Sequence, residues 1–198
     1  MIKGKAPSEI LETYNAERWP VGQKILNFSD RIFSVAISFG SFLSALRNFA
    51  VLLMAKVVMA NNFGRRRMFN FVSQLNIRYH PNMAVKSDLR SARNENSVIA
   101  GRRAPDAPLT GGGSLFDLPK GYKFTVLAMS KAPLPKEAQA EFERRWRSTG
   151  GLGSDADIHW IDLERSPLAI SRYQVENILI SLVRPDGYIG FQSDHLDM

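Results

Sequence analysis

Cysteine is missing from the 198 residues. Its absence excludes a disulfide framework, a thiolate metal site and CxxC redox chemistry, and is compatible with a reducing compartment. Histidine is scarce: His80, His159 and His195 share no ligand spacing, so no metal site is expected. A long apolar run is also lacking. The most apolar stretch, Ile32 to Leu46, resumes after Arg47-Asn48 until Lys56, and its uninterrupted pieces fall short of the roughly 20 residues a bilayer span needs. Buried helix is therefore expected there, with no membrane span. Met1 to Pro7 carries lysines without an apolar segment behind them, so no signal peptide is read and a cytoplasmic location is expected.

Two catalytic signatures are missing as well. No G-x-S-x-G elbow occurs. Gly151-Leu152-Gly153-Ser154-Asp155-Ala156 matches G-x-G-x-x-A letter for letter, but a helical pattern precedes it and a strand pattern follows. A dinucleotide fingerprint needs the reverse order, so that a helix N-terminus meets the pyrophosphate.

What is present is an ordinary globular composition, 44% hydrophobic and 23% charged, which argues against wholesale disorder. The net charge of +7 is unevenly placed: 16 Lys/Arg stand against 6 Asp/Glu through residue 103, and 10 against 13 after it. A basic half can face phosphates or an acidic partner, or it can be a solvated face. Arg65-Arg66-Arg67 lacks a recognition helix, an aromatic platform or a Cys/His module. It reads as surface charge, and no nucleic-acid partner is expected.

The charge changes sign at Gly101-Arg102-Arg103-Ala104-Pro105-Asp106-Ala107-Pro108-Leu109. Two prolines in four residues remove backbone donors and push the preceding residues out of the α region, so no regular element runs through. Before this hinge the regular elements all have helical spacing. Ser8 can cap a helix with Glu9 in its first turn, Ile10, Leu11 and Tyr14 begin an apolar face, and Pro20 is expected to kink or divide the helix. Glu17 and Arg18, as neighbours on a helix, point in different directions, and each is expected to seek its own partner. Ser34, Ser38, Ser41 and Ser44 form a small-residue packing stripe, a further helix runs from Phe49 to about Met59, and Asn61-Asn62-Phe63-Gly64 supplies a stop. Residues 86–103 read as loop.

After the hinge, strands are expected at Ser114 to Leu118, Phe124 to Met129, Ile158 to Leu163, Ile178 to Val183 and Tyr188 to Phe191. A helix from Pro135-Lys136 to Arg147 presents Ala138, Phe142 and Trp146 on one face, and another is expected around Ser166 to Asn177. Pro185-Asp186-Gly187 makes the turn of the closing hairpin. This order is that of a thioredoxin-like α/β unit without cysteines. The expected fold class is α+β: a helical segment over residues 1–85, a linker over 86–113 and a thioredoxin-like domain over 114–198.

Several of these residues carry a family resemblance. Lys3-Gly4-Lys5-Ala6-Pro7 with Leu11, Tyr14, Glu17-Arg18 and Pro20 resembles the K-G-x-A-x…L…Y-x-x-E-R-x-P helix of single-component FAD-dependent aromatic hydroxylases of the phenol hydroxylase type. Leu75-Asn76-Ile77-Arg78-Tyr79 resembles the segment that returns from their helical region. Gly101 to Leu109, with Arg103, Pro105 and Asp106, resembles their G-x-R-A-P-D-x-x-L entry into the C-terminal domain. Arg184-Pro185-Asp186-Gly187-Tyr188-Ile189-Gly190-Phe191 resembles their closing R-P-D-G hairpin.

The resemblance implies an enzyme in which NADPH reduces FAD and an oxygen atom from O2 is placed on a phenolic ring, with the protein positioning flavin and ring and excluding water. It further implies that the family's glycine loop, pyrophosphate motif and substrate sheet lie before Met1. This chain is then the helical remnant of a flavin domain plus the C-terminal domain. No catalytic, cofactor or metal residue carries over, no FAD is expected to bind the chain alone, and activity is expected only with the missing half. The implied partners are a second copy of the chain or a separate flavin-binding half; the alternative is a stand-alone, non-catalytic dimerisation or interaction module.

Overall fold

The computed structural model describes residues 10–37, 44–73, 77–82, 84–91, 97–119, 121–150 and 155–196. The chain divides into two units, one of residues 14–77 and one of residues 1–13 with 78–198.

The first unit carries three described helices. Helix α1 is Ile10–Ile37, α2 is Ser44–Ala60 and α3 is Asn62–Val72. Pro20, expected to kink or divide the first helix, lies inside an uninterrupted α1. The proline costs a ladder bond and crowds the carbonyl one turn back, but the 28-residue helix is not divided there. The four residues Asn61 to Gly64 do more than stop a helix. Asn61 Oδ1 accepts the Phe63 amide at 2.9 Å and the Asn61 carbonyl accepts the Arg65 amide at 3.0 Å, so Asn61 caps α3, one residue beyond the end of α2. Gly64 permits that turn, because a Cβ there would collide with the Val58 carbonyl. Arg65, Arg66 and Arg67 lie exposed on α3. Ser8 and the centre of the serine stripe lie outside the described residues.

These helices carry large apolar side chains on their surfaces. Trp19, Ile32 and Phe33 on α1, Phe49, Leu52, Met54 and Val57 on α2, and Phe63 and Phe69 on α3 are all exposed. A helix as apolar as α2 normally sits inside a larger body.

Residues 78–198 are built on a five-stranded sheet. Strand β1 is Lys86–Asp88, β2 is Thr125–Ser130, β3 is Asp157–Ile161, β4 is Ile178–Val183 and β5 is Ile189–Ser193; α4 is Lys136–Ser148 and α5 is Pro167–Arg172. The sheet order is β1-β5-β4-β2-β3. β2 and β3 are parallel, joined by α4, while β4 is antiparallel to both β2 and β5.

Two expectations differ from this architecture. Ser114 to Leu118 forms a 3-10 turn at Leu115–Asp117 in place of a strand. Ser114 Oγ accepts the Phe116 amide at 3.2 Å and Asp117 Oδ2 accepts the Ser114 amide at 2.7 Å, a reciprocal cap that outcompetes extended backbone. Residues 86–113, expected as a linker, supply β1, which pairs parallel with β5 through Lys86 and Phe191.

The core follows from alternation along β2. Val126 and Ala128 face α4 and meet Phe142 and Trp146, with Ala156 and Ile180 completing the buried cluster. Phe142 packs edge-on to Trp160 at 5.6 Å between centroids, and the Trp160 indole donates to Glu143 at 3.1 Å. Thr125, Leu127 and Met129 point to the opposite face, where β4 places Leu179, Ser181 and Val183 beside them. Both faces are covered, which is why β2 reads as a continuous apolar run.

Candidate functional site

On that second face the hinge and the closing turn come together. The hinge is irregular, as its prolines dictate, yet its backbone is tied down along its length. Gly101 donates to the Ile189 carbonyl at 2.8 Å, Ile189 donates back to Arg102 at 2.9 Å, and Ala104 donates to Gly187 at 2.9 Å. Tyr79 donates to Gly101 at 2.8 Å. Gly101 holds φ +86° against the Tyr79 carbonyl, a conformation and a proximity that a side chain would not tolerate.

Asp106 organises the next step. Its Oδ1 accepts the amides of Ala107 at 2.9 Å and Phe116 at 3.0 Å. Its carbonyl accepts from Arg172. One residue earlier, the Pro105 carbonyl accepts the Tyr173 phenol at 3.1 Å. Burial, with the Asp106 carboxylate adding to it, pushes the Tyr173 hydroxyl above its ordinary range, so it stays protonated and remains a donor. Farther along, the Pro108 carbonyl accepts the Ser166 hydroxyl at 2.7 Å.

The Pro185-Asp186-Gly187 turn closes as a hairpin should: Gly187 at φ +81° donates to Arg184 at 2.9 Å, and Arg184 donates to Tyr188 at 2.8 Å. Arg184 also reaches Asp186 Oδ2 at 2.8 Å. Between hinge and turn lies a cavity of about 250 Å³. Arg103, Arg184, Pro185, Asp186 and Gly187 line it together with Leu115, Phe116, Thr125, Leu127, Tyr173 and Val183. Arg103 stands over the Phe116 ring, 6.0 Å from its centroid.

Of the residues singled out from the sequence, Arg103, Arg184, Pro185, Asp186 and Gly187 thus share one cavity, and Pro105 and Asp106 anchor its wall. Tyr14, Glu17, Arg18 and Pro20 lie on α1, where Glu17 is buried and the other three are exposed. Thr125 is the residue that sequence reasoning missed. Its signal was a hydroxyl at the start of an otherwise apolar buried strand; it is 1% exposed and its Oγ1 has no hydrogen-bond partner.

A second polar cluster lies at the β1–β5 edge. His195 Nε2 meets Asp88 Oδ2 at 3.3 Å and Nδ1 meets Asp194 Oδ1 at 3.2 Å. The carboxylates sit on opposite ring nitrogens and cannot converge on one ion, and no metal-holding group occurs among the described residues. Ser193 gives the cluster the composition of a nucleophilic triad. Its side chain is fully buried, however; its hydroxyl donates to the His195 carbonyl at 3.0 Å, and it lies 3.1 Å from Nδ1, the same nitrogen that faces Asp194, whereas a triad needs serine and carboxylate on opposite ring nitrogens, so it is a structural tie. Partial burial opposes ionisation of Asp194, but the amides of Arg90 at 2.9 Å and Ser91 at 2.8 Å, with the His195 and Ser91 side chains, outweigh it and hold the carboxyl well below the usual range.

Comparison with known proteins supplies the relatives. No family model matches the chain. It is 29% identical over 191 residues to a flavin-dependent monooxygenase of Mycobacteroides abscessus, covering 96% of this chain and 29% of that protein. The rebeccamycin biosynthetic enzyme RebC, solved with reduced flavin, is similar with a TM-score of 0.62 and 22% identity over all of this chain and 36% of its own. Aklavinone-11 hydroxylase, solved with FAD and aklavinone, gives 0.61 and 20% identity over 98% of this chain and 33% of its own. The chain therefore spans about a third of the length of the relatives it matches.

Proposed function

We infer that this chain, similar in sequence and fold to the C-terminal part of FAD-dependent monooxygenases, serves as the accessory portion of an aromatic hydroxylase. It works with a flavin-binding body supplied on the same or another polypeptide. The complete enzyme would use FAD reduced by NADPH and would hydroxylate a phenolic ring. The residue-78–198 unit is read as thioredoxin-like: the parallel β2–α4–β3 unit followed by the antiparallel β4–β5 hairpin supports that reading.

The observation that carries the inference is the pairing of near-complete coverage of this chain with helices whose apolar faces lie bare, among them Leu52 and Met54 of α2. Such faces suit a larger body packed against them. The chain alone is read as not holding FAD. The cavity beside the hinge, about 250 Å³, falls short of the ~300–1,000 Å³ typical of sites for much smaller ligands, and the G-x-G-x-x-A match lies in the chain between α4 and β3, where a dinucleotide loop needs a strand before it and a helix after it. No catalytic step is assigned to these residues.

The test is reconstitution. The purified chain is expected to lack the yellow flavin absorbance and NADPH oxidation, and to gain both when co-expressed with the flavin-binding portion of a relative. Stoichiometric FAD on the chain alone would refute the reading. Failure of co-expression to form a complex would favour a stand-alone interaction module instead.

A further inference from the structure

We propose that the free chain pairs with a second copy of itself through helix α2, in an antiparallel two-fold contact centred between Leu52 and Leu53. The proposal concerns the chain by itself and does not rest on the monooxygenase reading. A flavin-binding body that covers α2 has to displace the second copy.

The position of α3 defines the face. Among the described side chains of α2, Val58 alone is half-buried and the rest are exposed, and Gly64 of α3 sits against the Val58 backbone. At about 3.6 residues per turn, Phe49, Leu52, Leu53 and Lys56 fall on the side of the helix away from Val58. Their i, i+3, i+4, i+7 spacing is that of a helix–helix seam. Phe49, Leu52 and Leu53 are 65%, 63% and 52% exposed, so the seam is bare.

The composition of the seam selects its occupant. With the two-fold between Leu52 and Leu53, each Leu52 meets the partner's Leu53 and each Lys56 meets the partner's Phe49. Lys56 is the one charged residue between Asn48 and Ala60. It then lies against an aromatic ring in place of a like charge, and a single lysine in an apolar seam fixes the register. Arg65-Arg66-Arg67 are carried by α3 on the Val58 side, so the basic triplets of the two copies stay out of the contact.

The area suffices for a weak, specific dimer. At roughly 100 Å² for each exposed side chain, Phe49, Leu52, Leu53 and the flanking Val57 and Met59, with the stem of Lys56, supply about 600 Å² per copy. The pair buries about 1,200 Å², the lower end of specific interfaces.

The experiment is sedimentation velocity on the purified full chain between ~1 and ~100 µM. A monomer–dimer equilibrium is expected. Leu53→Glu brings two carboxylates together at the two-fold and should weaken the dimer at least ~100-fold. Met54→Glu, one turn before Val58 on the α3 side, should leave it unchanged. Because the chain has no cysteine, Leu53→Cys gives a second readout that does not depend on how the glutamate variant folds. Mild oxidation should link it into a covalent dimer, since Cα atoms beside the two-fold come within the ~4.4–6.8 Å that a disulfide spans, whereas Met54→Cys should run as a monomer on a denaturing gel. The proposal is overturned by a chain that stays monomeric at the highest concentration, by open-ended aggregation without a dimer, by equal weakening in Met54→Glu, or by equal cross-linking of Met54→Cys.

Discussion

Arg184 lies over the ring of Tyr79, its Cζ 5.6 Å from the ring centroid, although 104 residues separate them in the chain. Tyr79 in turn packs against Tyr188 at 4.5 Å between centroids. The entrance to the residue-78–198 unit is thereby bolted to its closing hairpin. Arg184→Ala is expected to destabilise the chain by about 1–2 kcal/mol, the sum of a part-buried cation–π contact and a charge-assisted bond. A double-mutant cycle with Tyr79→Leu in urea should return a coupling of about 0.5–1 kcal/mol; additive effects would show that the stacking contributes nothing.

Gly101 and Gly112 both have positive φ, but only Gly101 faces backbone at close range. Gly112→Ala should cost about 1 kcal/mol from conformational strain alone. Gly101→Ala adds a clash with the Tyr79 carbonyl and should cost well over ~2 kcal/mol, or prevent folding. Equal denaturation midpoints for the two variants would contradict the docked hinge.

Asp194 makes stability depend on acid. Its folded carboxyl is held below its unfolded value, so the contribution is fully present above the unfolded value of about 4 and is lost as pH falls through the lower folded one. Asp194→Asn should lower stability at neutral pH by about 1–3 kcal/mol, the range for losing hydrogen bonds to a charged group. It should also flatten the decline below pH ~4. An acid limb of unchanged steepness would assign the acid sensitivity to other carboxylates.

Thr125 and Ser181 oppose neighbouring positions of the same sheet face, but their hydroxyls are in opposite situations. Thr125→Val should be neutral or stabilising, within about 1 kcal/mol, because it removes an unpartnered hydroxyl and keeps the shape. Ser181→Ala leaves the buried Gln192 amide without its acceptor and should cost about 1–3 kcal/mol. Thermal unfolding of both variants reads the difference, and a Thr125→Val loss as large as that of Ser181→Ala would mean the threonine is satisfied in solution.

Much of the architecture was legible because it is governed by local periodicity and turn chemistry. The run Ile178 to Val183, the four-residue spacing of Ala138, Phe142 and Trp146, and the glycine of the Pro185-Asp186-Gly187 turn each carry their structure within a few residues. Pro20 does not divide the first helix, because the flanking ladder bonds of a 28-residue helix carry it past one missing donor. Ser114 misled because a side-chain cap competes with extended backbone at little expense.

Amino-acid order by itself determined the helices that end at Val72, the buried strands after the hinge, the break at Pro105 and Pro108, and the exclusion of thiol chemistry. Only the tertiary structure decided that Lys86 to Asp88 would pair beside β5, that Arg103 would meet the Pro185-Asp186-Gly187 turn around one cavity, and that the Thr125 hydroxyl would be buried without a partner. These are relations between residues tens of positions apart. Pairing and burial at such separations depend on which surfaces the packed sheet brings together, and no local pattern encodes that.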